Sequence, residues 1–376
     1  MRESSAGIGV VGAGSIGIRS ALDHFALKDV QDKANIVAIC DNVSERAKAA
    51  ADKYGVPAWY GSYEELLKNP NVDIVTLCSP IGLHYDQAIM ALNAGKHIHC
   101  NKTITTTVAE IDEIMNLAAA KGLKVVSSPG MMLMPHNQRM RRAVLEGRLG
   151  RVTLAITGGT GGQMYHINEP LRQGNDVLTS ANPSWYFKKP GGGPLYDIVV
   201  YFLHILTGIL GPVQRVSAFS GQTVPQFEYR GEIIRNEMDD TTFISLDFGD
   251  MLYGHCNVTT EGELGGKVGP FTPYIIGGKG MLNGAQLGDK CLIYEGDHQP
   301  HVTPAHKKLS ESHVYEDIMQ LVDWVHSDIA SIANLDHARH VIDIIESAYN
   351  SESTGKIITL KQPAYKPLPL EELAEI

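Results

Sequence analysis

The chain has few features that would tie it to an oxidising compartment, a membrane or a nucleic acid. Its five cysteines (Cys40, Cys78, Cys100, Cys256 and Cys291) are scattered over 376 residues with no C-x-x-C pair. Neither a disulfide framework nor a zinc ribbon is indicated, and reduced core thiols are expected. No apolar run is long enough to span a membrane, and the polar arm Met1 to Ala6 lacks the apolar centre of a signal peptide. A cytoplasmic protein with no membrane partner is the expectation. The net charge of −10, with no basic cluster, argues against a nucleic-acid partner. The fifteen histidines are dispersed. His97 and His99 alternate along one apolar stretch, yet no histidine–carboxylate set has ligand spacing, so no metal is expected. There is no G-x-S-x-G elbow, P-loop, internal repeat or low-complexity segment. What remains is an ordinary globular composition, 43% hydrophobic and 20% charged, in a chain long enough for two domains with real cores.

Against that background one stretch stands out: Ile8-Gly9-Val10-Val11-Gly12-Ala13-Gly14-Ser15-Ile16-Gly17. A buried-strand pattern runs into Gly-x-Gly-x-x-Gly, and a helical pattern follows through Arg19, Ala21, Leu22 and Phe25. This is the strand, turn and helix of a dinucleotide-binding unit. Gly12 makes the tight turn, Gly14 lets a pyrophosphate approach the backbone, and Gly17 lets the helix pack closely on the sheet. Ser15 and Ile16 open the helix, whose free N–H groups and positive dipole end face the phosphates. A second strand, Asn35 to Cys40, ends at Asp41. A carboxylate there can accept hydrogen bonds from the adenosine ribose and repels a 2′-phosphate, which favours NAD over NADP. Arg46 softens that preference.

The first third of the chain alternates strand and helix. Helices are expected at Ser44–Tyr54 (capped by Ser44, stopped by Gly55), Tyr63–Lys68 (capped by Ser62), His84–Ala94 and Val108–Lys121. Strands are expected at Val72–Cys78, His97–Cys100 and Leu123–Ser127. The rhythm implies a parallel sheet with its ligand at the carboxyl ends of the strands. Ser79-Pro80 and Asn101-Lys102 fall at such ends, beside the glycine turn and Asp41. After about Pro129 the pattern changes. A helix at Pro135–Glu146 and a strand at Val152–Ile156 precede an irregular stretch from Gly158 to Gly193. An apolar helix follows at Asp197–Thr207. Strand-like segments then run without intervening helices (Val213–Gly221, Thr241–Asp247, Leu252–Val258, Tyr274–Gly277 and Lys290–Tyr294), which suggests a mostly antiparallel open sheet. Helices at Tyr315–His326 and Leu335–Asn350 and a proline-containing tail close the chain.

Lys102, at a strand end in the mouth of the cleft, can hold a substrate hydroxyl and favour loss of its proton. Asp197 and Tyr201, four apart on a helix entered through Gly191-Gly192-Gly193, share a face. Tyr201 can exchange a proton and Asp197 can orient a partner. His204 reads better as packing. His166, Trp185 and Tyr186 in the long loop are candidates to contact a sugar.

Together these motifs resemble the glucose-fructose oxidoreductase / inositol dehydrogenase / MocA (Gfo/Idh/MocA) family, in order and over nearly the whole chain. After the glycine turn and Asp41, the run Cys78-Ser79-Pro80-Ile81-Gly82-Leu83-His84 is similar to the family's T-P-N-x-x-H, and Ala91 to His97 to its A-L-x-A-G-K-H. Lys102 falls on the lysine of E-K-P, and Gly191 to Tyr201 resembles G-G-G-x-L-x-D-x-G-x-H/Y. Ala338 to Ser351 resembles the closing helix. The resemblance implies an α/β protein: an N-terminal Rossmann domain with a doubly wound parallel sheet (residues 1–129), then a C-terminal α+β domain with a large, mostly antiparallel open sheet (130–376). It implies an NAD-dependent dehydrogenase for a sugar, cyclitol or glycoside, forming a homodimer or homotetramer through the open sheets. Lys102, Asp197 and Tyr201 would be the catalytic set, and Ser79, Pro80, His84 and Asn101 would join Gly12–Gly17, Asp41 and Arg46 at the cofactor. Asn101 and Thr103 replace the outer residues of E-K-P, Ile81 replaces the asparagine of T-P-N, and Val199 a glycine. Two rival readings share this fold: a glycosidase that oxidises, eliminates and re-reduces, and a non-catalytic NAD-binding regulator. The shortage of arginine in the long loop favours a neutral sugar over a phosphate.

Overall fold

A computed structural model describes residues 5–160, 167, 169–260, 272–292, 299–360 and 365–376. Six strands form the first sheet: β1 (Ala6–Val11), β2 (Ala34–Cys40), β3 (Ala58–Tyr60), β4 (Ile74–Leu77), β5 (His97–Cys100) and β6 (Val125–Ser127). They run in the order β3-β2-β1-β4-β5-β6 and all pairings are parallel. β1 is buried along its length, as a central strand covered on both faces must be. Its alternate side chains, Ile8 and Val10 against Val11, enter two separate apolar clusters.

Helix boundaries follow local chemistry. Helix Val108–Lys121 starts in a capping box between Thr107 and Glu110 and ends at Gly122 in the left-handed region. Helix Tyr63–Leu67 is capped by Ser62. The expected Ser44 cap is corrected: Val43 is the N-cap residue of Ser44–Tyr54 and makes no side-chain cap bond, while Gly55 closes the helix as expected. The backbone N–H of Val43 is taken instead by Asp41 Oδ1, at 2.9 Å.

The second sheet has nine strands: β7 (Val152–Thr160), β8 (Arg215–Gly221), β11 (Thr241–Gly249), β12 (Leu252–Thr259), β13 (Tyr274–Gly277), β14 (Gly280–Asn283), β15 (Gln286–Leu287), β16 (Lys290–Cys291) and β17 (Ile358–Thr359). Their order is β16-β15-β14-β13-β7-β12-β11-β8-β17. β7 pairs parallel with β12 and the other pairings are antiparallel. A separate hairpin joins β9 (Gln226–Tyr229) to β10 (Glu232–Arg235). Its two-residue turn, Arg230-Gly231, has positive φ at both positions, which matches strand twist. This hairpin and the short strands β14, β15 and β17 escape the periodicity reading. Each is four residues or fewer, too short for alternation to register. Cys291 is exposed on an edge strand, so it is not the core thiol expected; the other four cysteines are buried and free.

Helices Pro135–Leu145, Val200–Leu210 and Leu335–Thr354 cover one face of this sheet with a shared core that includes Met140, Phe202, Leu206, Ile244 and Ile345. The other face carries the outward residues of β8, β11 and β12, among them Phe219 (80% exposed), Phe243 and Tyr253.

The sheets divide the chain between β6 and β7, but the layers do not. Helix Ser312–Ser327 comes from the C-terminal third, yet Tyr315, Ile318, Leu321 and Val322 fill the core beside Ile8, Ile39 and Ile74 of the first sheet. Its far end is held by Lys124 Nζ, 2.6 Å from the Trp324 carbonyl. The tail is pinned as well as draped: Arg141 and Arg142 donate to the carbonyls of Leu368, Leu373 and Ala374. Among the described residues no helix is long and apolar enough to cross a membrane.

Candidate active site

A cleft of about 570 Å³ opens at the carboxyl ends of β1, β2, β4 and β5. Gly12, Gly14, Ser15 and Ile16 line one part of it, followed by Asp41 and Arg46, then Ser79 and Pro80, and then Asn101, Lys102 and Asp197. Gly12 turns at φ +96, and a Cβ there would stand 2.8 Å from the Cys78 carbonyl oxygen. A Cβ on Gly17 would stand 1.9 Å from the Gly12 carbonyl oxygen, so helix and turn touch only because residue 17 is glycine. Gly14 is different: a Cβ would meet nothing nearer than Ala181 at 3.9 Å, so its bare backbone faces open cleft.

The residues fit a dinucleotide on two further observations. Asp41, buried at the end of β2, accepts from Ala13 N at 2.9 Å and from Arg46 Nη1 at 3.1 Å, which fixes its carboxylate on the cleft wall. Asn101 Oδ1 accepts from Lys102 N at 2.8 Å, while its buried Nδ2 has no partner among the described residues. A buried donor without an acceptor costs free energy, and this one lines the cleft.

Lys102 meets Asp197 across the gap between the two halves. Its Nζ bonds Asp197 Oδ1 and lies 2.8 Å from the Asp197 carbonyl. Both side chains are nearly buried. The backbone of Asp197 lies in a wide helical turn, Leu195–Val199, that leads into Val200–Leu210. Lys102 Nζ stands 5.3 Å from the centre of the Tyr201 ring, within cation–π range. Burial, and then the carboxylates of Glu311, Asp197 and Asp317, hold the Tyr201 hydroxyl well above its ordinary pKa. The sequence-expected trio is therefore together in space.

Other candidates fall elsewhere. His84 does not line the cleft. It is fully buried, with Nδ1 2.9 Å from the Thr103 carbonyl and Nε2 2.8 Å from that of Ser79, so it ties the end of β4 to the segment after β5. Tyr186 is also buried away from the cleft, in a small cluster with Phe187, Phe227, Tyr229 and Ile234. Trp185 does reach the cleft. His166 lies outside the described residues. His204 packs against His337 with ring centroids 4.4 Å apart, as expected of a core residue.

The sequence reading missed four charged or titratable groups. Glu169 bonds Ser15 Oγ and Arg19, and accepts from Arg172 Nε at 2.9 Å. Burial opposes its charge, but Ser15, Arg172 and Arg19 outweigh burial and hold the carboxyl below the usual range. Arg19 also pairs with Glu311, which adopts φ +60, an uncommon region for a residue with a Cβ. His313 completes the row, with Nε2 3.1 Å from the Tyr201 hydroxyl and 3.7 Å from Glu311 Oε2. No local motif announces these residues, because positions 19, 169 and 311 are far apart in the chain. His313 lies two residues before the expected helix start at Tyr315; the helix begins at Ser312.

A glycine cradle at one end of the cleft, with Lys102 and Asp197 at the other and Tyr201 beside them, suits a nicotinamide-dependent oxidoreductase acting on a CH–OH group. The comparisons agree in detail. Residues 6–128 match the model described as oxidoreductase family, NAD-binding Rossmann fold, and residues 137–283 match the GFO/IDH/MocA C-terminal domain. The chain belongs to the Gfo/Idh/MocA family and is an NAD-binding enzyme. It is similar to D-glucoside 3-dehydrogenase of Escherichia coli (strain K12), with 24% identity over 372 residues, 96% of this chain and 99% of that one. It is also similar to trans-1,2-dihydrobenzene-1,2-diol dehydrogenase of Mus musculus, with 26% identity over 290 residues, 70% of this chain and 78% of that one. Among solved structures, levoglucosan dehydrogenase in complex with NADH and L-sorbose superposes with a TM-score of 0.76 at 18% identity, covering 96% of this chain and 100% of the other. At that identity the likeness shows the fold.

Proposed function

We propose that the protein oxidises a secondary hydroxyl of a neutral carbohydrate, namely a sugar, cyclitol or glycoside. The observation that carries this reading is the pairing of Lys102 with Asp197 in the cleft that Gly12, Gly14, Ser15, Ile16 and Asp41 also line, with the Tyr201 ring 5.3 Å behind Lys102 Nζ. NAD, when bound, supplies the hydride acceptor. Gly14 and the N–H groups that open the following helix would receive its pyrophosphate, Asp41 its adenosine ribose, and Asn101 Nδ2 an acceptor near the reacting end. Lys102 holds the substrate hydroxyl and favours loss of its proton through its charge. Asp197 pairs with Lys102 and aims it, and Tyr201 receives the proton.

The charges favour a neutral substrate. Among the described residues at this end of the cleft, Arg19 is committed to Glu169 and Glu311, and Lys102 to Asp197. The end-to-end match to a glucoside dehydrogenase supports a ring hydroxyl of a glycoside. The outward face of the second sheet, with Phe219 beside Phe243 on neighbouring strands, suits a second copy of the chain.

The test is nicotinamide reduction by the purified protein, with NAD and NADP in turn, across free sugars, cyclitols, glycosides and sugar phosphates. Net reduction with a neutral carbohydrate supports the proposal. Release of an aglycone without net reduction replaces it with the glycosidase. Cofactor binding with no turnover across the panel favours the regulator.

A further inference from the structure

We propose that His313 is a positioning residue for the reaction, acting as the proton acceptor behind Tyr201. This inference rests on the dehydrogenase reading above. The difficulty it resolves is chemical. A tyrosine that already carries its proton cannot take a second one from a substrate hydroxyl unless it passes its own onward in the same step. Tyr201 is held in that protonated form by its surroundings. The receiver must lie within hydrogen-bond reach of the phenol oxygen, be unprotonated at working pH, and be able to carry a positive charge briefly. His313 Nε2, at 3.1 Å, meets the first condition. The ring stands edge-on to the phenol with centroids 5.6 Å apart, so Nε2 meets the hydroxyl in the plane of the imidazole, where an unprotonated nitrogen accepts.

The remaining conditions follow from its neighbours. Tyr201 faces His313 from the helix that follows Asp197. Glu311 faces it from the turn before its own helix, Lys102 from the end of β5, and Arg19 from the helix after β1. Burial lowers the imidazole's affinity for a proton; Glu311 opposes this, and Lys102 and Arg19 add to it. Together they favour the neutral ring over the imidazolium. Once protonated it finds Glu311 Oε2 3.7 Å away. Glu311 is held in place by Arg19 in spite of its positive φ.

The proton path balances. The substrate O–H bond breaks and its electron pair becomes the second carbon–oxygen bond; NAD, held at the glycine turn, would supply the acceptor for the hydride lost from that carbon. The hydroxyl proton passes to Tyr201 Oη, and the proton already on Oη passes to His313 Nε2. Tyr201 ends as it began, and His313 becomes an imidazolium beside Glu311 until solvent takes the proton.

Two measurements test this. The first needs no substrate: NMR of the protein with ¹⁵N-labelled histidine at neutral pH. An Nδ1–H tautomer, with Nε2 an unprotonated acceptor whose shift moves in Tyr201→Phe, is the expected result. An Nε2–H that donates to Tyr201 overturns the relay. The second is turnover of His313→Gln, which can keep a hydrogen bond to Tyr201 but cannot accept the proton. We expect kcat to fall by about 10²-fold, within the range for a lost proton-transfer group, with KM and NAD binding near wild type. The acid limb of kcat/KM should disappear, and in His313→Ala imidazole should restore part of the rate. Near-normal kcat with an unchanged pH profile overturns the proposal. If the wild-type protein oxidises nothing in the carbohydrate panel, the dehydrogenase reading fails and the relay with it. If the wild type turns over and the His313 variants match it, the relay alone fails.

Discussion

Replacing Lys102 by methionine keeps the length of the side chain and removes its charge. The Lys102 and Asp197 side chains are 12% and 9% exposed, so the variant leaves a carboxylate nearly out of water and without its cation. Breaking a buried pair from one side costs about 3–5 kcal/mol. The small residual exposure places this case at the lower end, about 3 kcal/mol. Denaturant unfolding, read as the shift in midpoint at constant slope, measures it. The second half of the test is the double variant Lys102→Met/Asp197→Leu. With both charges gone, the penalty for the stranded carboxylate disappears and most of the lost stability should return. Catalysis should not return: both variants should lose turnover by about 10³-fold or more, since the hydroxyl has lost the charge that assists its deprotonation. NAD affinity, followed by fluorescence, should stay near wild type in both. A Lys102→Met protein as stable as wild type, or a double variant no more stable than the single, would refute the electrostatic account. Near-normal turnover in either would remove Lys102 from the mechanism.

Gly17→Ala places a Cβ 1.9 Å from the Gly12 carbonyl oxygen. We expect a loss of about 1–3 kcal/mol in unfolding free energy together with weaker NAD binding; an unchanged affinity would separate the turn from the cofactor. His301 lies between Glu316 and Asp323, 3.0 Å and 2.9 Å away. Burial alone would lower its pKa, but its bonds to Asp323 and Glu316 outweigh burial and raise it from 6.5 to about 9. A raised folded-state pKa stabilises fully below pH 6.5, and the contribution is lost as pH rises through about 9. His301→Gln should therefore melt below wild type at pH 6 and alongside it at pH 10; an equal gap at both values contradicts the shift. Phe219→Glu combined with Phe243→Glu should reduce the mass seen by light scattering if the open sheet joins two copies, and an unchanged mass would place any interface elsewhere.

Much of the fold was legible because parallel strands and their helices carry local signals. The run Ile8–Val11, the three turn glycines and the capping residues Ser62 and Gly55 each act over a few positions. Lys102 and Asp41 were legible for the same reason, since each stands at a strand end, where such sheets bind their ligands. His84 was misread because its place in a motif beside the cleft says nothing about which way its ring points; that is set by carbonyls at Ser79 and Thr103. Tyr186 was misread because the hairpin that buries it lies some forty residues later and was itself unseen. Glu169, Arg19, Glu311 and His313 form a row only after the second half of the chain folds back on the first.

That return of the chain gives the site a long lever. Helix Ser312–Ser327 has 16 residues, a rod of about 24 Å. His313 sits in its first turn, and Lys124 grips the opposite end at Trp324. A tilt of about 3° about that grip, roughly 16 Å from His313 along the rod, would swing the first turn by about 0.9 Å, enough to stretch the 3.1 Å contact with Tyr201 beyond hydrogen-bond reach. Alignment at the reacting end is thus governed partly by a fastening about three helical turns away along this helix. Substitutions at that fastening can detune turnover while leaving every residue that touches cofactor or substrate in place.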